Sequence, residues 1–297
     1  MLEPSDIRDL CEQHDLYWDQ RRDQLRELRR LYMTRFWETE TYPTLSGILR
    51  TEVPKAYAVV ESYLGSLYAK NPSVRVEPDL RDRGNPEVAQ ATANQYLLTI
   101  REQLEDATRL ALIYPCAFMK LAPVESVDPL KRVSCAALPP WEVIVDATAF
   151  SWDQQRHVGH VYLMPLAEAA ERYGKDPEDF KTRAYSKWIE STGIAGKSVM
   201  MGVDSNAGAV PDSDRWVRIV ELYDLLEDRL LVWSADFDEG NSFLFEGVKV
   251  QVGGLDPDAQ ADTETPDSEI VHETTGIPFK SASGRPVVPI LPLYFSR

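Results

Sequence analysis

The residues best suited to chemistry are few and scattered. The run Gly193-Ile194-Ala195-Gly196-Lys197-Ser198 has the closing half of a phosphate-binding loop, whose backbone N–H groups and lysine cradle phosphates. The full spacing G-x-x-x-x-G-K-[ST] puts Ser191 where the first glycine should stand. No buried strand leads in and no helix pattern leads out, so no nucleotide site is expected. Of the histidines His14, His157, His160 and His272, only His157 and His160 are close in sequence. Val158, Gly159 and Val161 favour a strand there, and residues three apart on a strand point to opposite faces, so the pair is not expected to share a metal. Asp146 and Asp153 flank a turn without a histidine partner, which suits turn and cap roles better than acid–base work. There is no G-x-S-x-G nucleophile elbow. The residue types thus predict no catalytic group, no cofactor and no metal ligand. A metal-dependent hydrolase using Asp146 or Asp153 stays open as the least supported reading.

Bulk properties narrow the classes. A chain of 297 residues can hold one large domain or two ordinary ones, and 43% hydrophobic with 27% charged residues is ordinary for a folded protein. No apolar run approaches the roughly 20 residues of a bilayer span. Met1 to Leu10 carries acids and Pro4 where a signal peptide needs a basic flank and an apolar stretch, so the chain is expected to stay where it is made. Cys11, Cys116 and Cys135 are odd in number, far apart and without a C-x-x-C pair, as expected of reduced thiols. The net charge of −16 opposes binding to phosphate backbones, which needs clustered Lys and Arg. It is compatible with a wall past which DNA slides without being held.

The elements that would position these residues run in a clear order. Ser5 to about Trp37 lacks Gly and Pro and repeats apolar residues at helical spacing, with acids leading and arginines trailing. The arginines interleave with acids, as on a solvated helix face. Thr39 to Gly47 reads as a loop. A second helix is predicted from after Pro54 to about Tyr68, with Ala56, Val59, Val60, Tyr63, Leu64 and Leu67 as its apolar positions. A break at Asn71-Pro72 follows, then a strand through Val74 and Val76. Asn85-Pro86-Glu87 opens a further helix carried through Ala111 and ended by Pro115. Strands are expected at Ala117 to Val124, Arg132 to Leu138, Trp141 to Asp146 and His157 to Met164, with short helices from Pro165 to Tyr173 and from Asp176-Pro177 to about Glu190. Trp216 to Leu225 and Arg229 to Ala235 read as a hairpin, and Phe243 to Val252 as β-rich. Thr192 to Asp214 and the acidic stretch Gly253 to Thr275 read as flexible, and Val287 to Phe295 as an apolar run punctuated by Pro289 and Pro292. The layout is α+β: an N-terminal helical segment, 1–70, then a mostly antiparallel β-rich region with short helices, 71–297.

A resemblance enters on ordered motifs. Tyr68-Ala69-Lys70-Asn71-Pro72 at the end of an amphipathic helix resembles the early signature of tailed-bacteriophage portal (head-to-tail connector) proteins. Pro139-Pro140-Trp141-Glu142-Val143-Ile144-Val145-Asp146 is similar to a later strand of that family. So are His160 to Leu166 with Arg172-Tyr173-Gly174, Val220-Glu221-Leu222-Tyr223-Asp224 with Leu231-Val232-Trp233, and Val288 to Tyr294. Pro115-Cys116 departs from the pattern, standing where a Gly-containing turn is expected. The signature positions are Tyr68, Lys70, Asn71, Pro72, Trp141, Asp146 and Tyr223.

The resemblance covers the family's N-terminal wing region. It implies a structural virion protein, assembled in the host cytoplasm and placed at one capsid vertex. There a closed homo-oligomeric ring, usually a dodecamer, serves as conduit for genome packaging and DNA ejection. The partners it implies are neighbouring subunits, the major capsid protein, the terminase motor, a head–tail adaptor and double-stranded DNA passing through without sequence-specific contacts. No membrane and no catalytic residue are implied. Stem, clip and crown regions would follow the wing, so the chain is expected to be a fragment or one half of a split portal. Another phage structural component, a head–tail adaptor or capsid-associated protein, is the alternative.

Overall fold

The computed structural model describes residues 2–34, 53–77, 85–114, 116–124, 127–128, 132–181, 185–190, 199–203, 216–251, 271–274 and 288–293. The architecture is α+β, helices first and antiparallel sheets after. The helices are α1 (Pro4–Asp19), α2 (Arg22–Tyr32), α3 (Lys55–Leu67), α4 (Pro86–Thr99), α5 (Arg101–Ile113) and α6 (Leu166–Tyr173).

Two long predicted helices are each broken once. Arg21 interrupts the first: its backbone N–H donates to the Trp18 carbonyl instead of the Tyr17 carbonyl. The Tyr17 carbonyl is taken by the Arg21 guanidinium at 3.0 Å, which also lies 3.6 Å from the Tyr17 ring centre. The two halves serve different cores, so the break is an elbow. Ile7 and Cys11 of α1 pack in one apolar cluster, and Leu25 and Tyr32 of α2 in another. The second break is at Ile100 (φ −103°, ψ 12°), beside a Thr99 hydroxyl that donates back to the Tyr96 carbonyl at 2.7 Å. Asn85 caps α4 as its sequence predicts, its side chain accepting from the Glu87 and Val88 N–H groups.

Strands β1 (Ala117–Pro123), β2 (Val133–Leu138) and β12 (Ile290–Leu293) form a three-stranded sheet in the order β12-β1-β2. Strands β3 (Val143–Val145), β4 (His157–Pro165), β7 (Trp216–Asp224), β8 (Arg229–Trp233) and β9 (Phe243–Glu246) form a five-stranded sheet in that order. Two hairpins, β5 (Tyr185–Glu190) with β6 (Val199–Val203) and β10 (Val248–Gln251) with β11 (Val271–Thr274), stand apart from these sheets.

Strand alternation assigns the faces of the five-stranded sheet. Val161, Val220, Leu222, Leu231 and Trp233 point to the face covered by Ile7 and Cys11 of α1. Gly159 lies on that face too, and a Cβ there would meet the Leu222 Cδ1 at 3.0 Å. The opposite face is shared. At one end Met164, Val217, Ile219 and Val232 pack on Leu166, Ala169 and Ala170 of α6. At the other, Val143, Val158 and Tyr223 pack on Phe118, Leu138 and Ile290 of the three-stranded sheet. That sheet turns its other face, through Ala117, Ala137 and Leu293, to α2, α3 and α5. The order of layers is therefore helices, three-stranded sheet, five-stranded sheet, α1.

Several expectations are corrected. Val74 and Val76 form no strand: their backbones bond to side chains of α4. Asn94 accepts from the Val74 N–H at 2.7 Å and donates to its carbonyl at 3.1 Å, while Gln90 accepts from the Val76 N–H at 3.0 Å. Gln90 and Asn94, four apart on one helix face, replace a neighbouring strand. Trp141 sits in a single 3-10 turn, Pro140–Glu142, before β3 begins at Val143. Asp176 caps only a 3-10 turn, Pro177–Asp179, and the helix expected to run to Glu190 is replaced by β5. Phe180 instead bridges to Phe237, which draws the chain onto the core. The stretches read as flexible contain β6 and β11; their other residues, the Gly193–Ser198 run and the Thr39–Gly47 loop lie outside the described residues. The two hairpins expected around Asp128-Pro129 and Glu227-Asp228 are present as β1–β2 and β7–β8. Helix α6 ends at Gly174 with φ +61°, where the Lys175 N–H reaches the Ala170 carbonyl at 3.0 Å.

Candidate functional site

The signature residues fall at three places. Tyr68 and Asn71 meet at Arg101, the first residue of α5. Its guanidinium donates to the Tyr68 carbonyl at 2.9 Å and to the Asn71 Oδ1, while its Nε holds Glu105 at 2.9 Å. The Thr108 hydroxyl donates to the Leu104 carbonyl, so Tyr68 Oη is the donor in the 2.7 Å Tyr68–Thr108 contact. The sequence Tyr68-x-x-Asn71 thus ties the C-terminal end of α3 to α5. Lys70 is exposed, and Pro72 begins the extended segment held by Gln90 and Asn94. Trp141 joins the same apolar cluster as Tyr68, 4% exposed, with its ring edge-on to Tyr114 at 4.8 Å between centres.

Asp146 lies elsewhere, at the β3–β4 turn. It accepts from the Thr148 N–H and hydroxyl and from the Arg156 Nε at 2.6 Å. The Arg156 hydrogen bond holds its carboxyl well below the usual carboxylate range. Asp153, the other carboxylate considered, stands in a 3-10 turn, Trp152–Gln154, of the same connection and is exposed. Tyr223 is buried on β7 in the seam between the sheets. Three of the four α2 arginines pair with acids three residues before them, Arg22 with Asp19, Arg26 with Asp23 and Arg30 with Glu27. This is the interleaved solvated face expected from the sequence. All three cysteines are free, and burial pushes the Cys11 thiol up to about 12.

The feature most suited to an interaction is the outer face of α3. Val60 and Leu64 point inward against α2 and α5. Val59, Tyr63 and Leu67, spaced by four, form an outward stripe and are 55%, 60% and 55% exposed. Ala58, Ser62 and Ser66 flank the stripe and with Val59 and Tyr63 line a shallow groove. The inner side is fixed by charge as well as packing. Glu61 Oε1 accepts from Tyr32 Oη at 2.8 Å and from Arg109 Nε at 3.0 Å, while Arg109 Nη1 donates to Asp106 at 2.7 Å. Burial alone would raise the Glu61 carboxyl, but the bonds from Arg109 and Tyr32 bring it below its ordinary value. Helix α3 is thus clamped on one side and apolar on the other. The sequence contains this pattern, since the six apolar positions of α3 surround more than one face.

A second constellation went unread in the sequence. On the shared face of the five-stranded sheet, between the α6 cluster and the seam with the three-stranded sheet, His160 and Glu221 sit opposite each other on β4 and β7. Lys120 reaches them from β1, with its Nζ 2.9 Å from His160 Nδ1 and paired with Glu221 Oε2. Tyr162 Oη donates to Glu221 Oε1 at 2.7 Å and lies 3.2 Å from Tyr173 Oη. Burial alone would raise the Glu221 carboxyl; Lys120 above all, with His160 and Tyr162, reverses this and holds it at about 2. Burial and the Glu221 charge push the Tyr162 phenol far up, so it stays protonated as a donor. Strand parity held the signal: Lys120 in Ala117–Pro123 and Glu221 in Trp216–Asp224 are charges at inward positions and so require partners.

Among the described residues no group of three or more His, Cys, Asp or Glu side chains could hold a metal, and no helix is long and apolar enough to cross a membrane. Compared with known proteins, the chain matches no protein-family model and no curated protein at a significant level.

Proposed function

We propose that this chain is the wing-region subunit of a tailed-bacteriophage portal. It works as a structural part of a homo-oligomeric ring, with no covalent chemistry of its own. The observation that carries this reading is α3, which ends in the Tyr68-x-Lys70-Asn71-Pro72 signature, is locked to α5 by Arg101, and leaves Val59, Tyr63 and Leu67 facing outward. A helix apolar on both faces implies a partner for the second face. In a ring each subunit offers one surface to the next, and the contact closes by rotation. The ordered resemblance of the later strands, Trp141 to Asp146, His160 to Leu166 and Val220 to Trp233, supports the same family.

In this reading the ring, a dodecamer, sits at the capsid vertex, contacts the major capsid protein, docks the terminase motor and later the head–tail adaptor, and lets double-stranded DNA pass. The net charge of −16 suits a subunit that does not grip the phosphate backbone. The carboxylate–hydrolase alternative is disfavoured by Asp146, whose oxygens are taken by Thr148 and Arg156. Negative-stain microscopy of the protein, co-expressed with the product of the reading frame that follows it, tests the proposal. Rings with a central channel are expected. Particles without a channel, together with divalent-metal-dependent hydrolysis abolished by Asp146→Asn, would overturn it in favour of an enzyme.

A further inference from the structure

The Lys120–His160–Glu221 constellation is buried, joins two sheets and has no part in the surface described above. Its geometry fixes the state of His160. A lysine ammonium only donates, so the 2.9 Å contact makes His160 Nδ1 an acceptor and places the ring proton on Nε2. The Nε2 side faces the Glu142 carboxylate from the 3-10 turn, 3.8 Å away. The imidazole stacks on Tyr162 at 4.9 Å between centres. On one side β3 sets the apolar Val143 opposite it, and the other elements packed around it bring polar or charged groups. Lys120 comes from β1, Glu142 from the turn, Tyr162 from its own strand, Glu221 and Tyr223 from β7, and Tyr173 with Arg172 from α6.

We propose that this triad is an acid-released clasp, in which neutral His160 holds the Lys120 ammonium and so fastens β1, with the three-stranded sheet, onto the five-stranded sheet. A proton added to Nδ1 would set two donors against each other at hydrogen-bond distance. The Lys120–His160 bond would then have to open. Lys120 is the only member of the triad from the three-stranded sheet, so losing this bond weakens the hold on β1, which is left to the Lys120–Glu221 pair and the apolar seam, while the β4–β7 ladder stays intact. Lys120 keeps Glu221 as a partner, so the clasp loosens without leaving a bare buried charge. Burial first, and Lys120 second, depress the basicity of His160 below its ordinary 6.5, against the opposing pull of Glu142 and Glu221. The sign follows: a depressed histidine favours opening as pH falls below 6.5, by up to about tenfold in the opening constant per pH unit, until the folded-state value is reached.

Hydrogen–deuterium exchange of the full chain at pH 7.5 and 5.5, corrected for intrinsic exchange rates, tests this. Residues 117–122 are expected to lose up to about tenfold in protection at pH 5.5, while the β7–β8 hairpin keeps its own. In His160→Asn, whose side-chain oxygen keeps an acceptor near Nδ1 but cannot titrate, β1 protection should not change with pH. His157→Asn serves as a control and should retain the wild-type response. Equal protection of β1 at both pH values in the wild type, or the same loss in His160→Asn, would overturn the clasp. Should His160→Asn fail to fold, nitrogen NMR of the unsubstituted chain decides, with signals assigned by single substitution of the other three histidines. A His160 ring protonated on Nε2 alone at pH 7.5 supports the clasp, and one protonated on Nδ1 refutes it.

Discussion

Trp141 fills the space between α5 and the three-stranded sheet, edge-on to Tyr114. Trp141→Ala should cost about 3 kcal/mol or more, read as a shift in the denaturation midpoint. A neutral result would mean that the ring does not pack as described. Glu221→Gln removes the counter-charge of a buried lysine and should cost about 3–5 kcal/mol. The pH dependence has a definite sign. The Glu221 carboxyl is held at about 2, below its ordinary 4.5. Its contribution is fully present above 4.5 and lost as pH falls toward 2, so Glu221→Gln should flatten the acid limb of the stability profile. A limb of unchanged slope would show that other carboxylates set it. The sequence reveals Trp141 as core, though for another reason than the one it suggests. Alternation with Val143 and Val145 implies one buried face, yet Val145 is 40% exposed and Trp141 is buried from a 3-10 turn. Lys120, His160 and Glu221 lie in three separate segments, and only the pairing of β4 with β7 and the stacking of the two sheets brings them together.

Among elements, α3 shows the gap between periodicity and packing. Its apolar positions are plain in the sequence, but only the positions of α2 and α5 decide that Val60 and Leu64 are core while Val59, Tyr63 and Leu67 are surface. Tyr63→Glu should therefore change the subunit's stability by no more than about 0.5 kcal/mol. Leu64→Ala, one residue on, should cost about 2–5 kcal/mol. Comparable losses for both would show that the outer face is covered within the subunit. The extended segment at Val74 makes a similar point. A β-like pattern was legible, but its hydrogen bonds go to Gln90 and Asn94, a solution invisible without knowing that α4 runs alongside. Asn94→Ala removes two of those bonds and should speed amide exchange at Val74, with little effect on the core. The helix breaks at Arg21 and Ile100 had no Gly or Pro to announce them; they come from a side chain competing for a carbonyl and from the two halves of the first helix serving separate cores.

At the scale of the whole molecule, the fold class was legible because the order of helical and alternating patterns survives any error at element ends. The stacking of two sheets between α1 and the α2–α3–α5 group was not, since layer order depends on which of two possible faces each strand buries. The proposed assembly into a portal ring rests on the outer face of α3, and it is tested by the oligomeric mass of the full chain before and after Tyr63→Glu. A ring predicts that the unsubstituted chain, co-expressed with the product of the following reading frame, runs as a single closed oligomer. It also predicts that Tyr63→Glu breaks this into folded monomers with an unchanged thermal midpoint. An unsubstituted chain that stays monomeric beside its neighbour, or an oligomer indifferent to Tyr63→Glu, would contradict it.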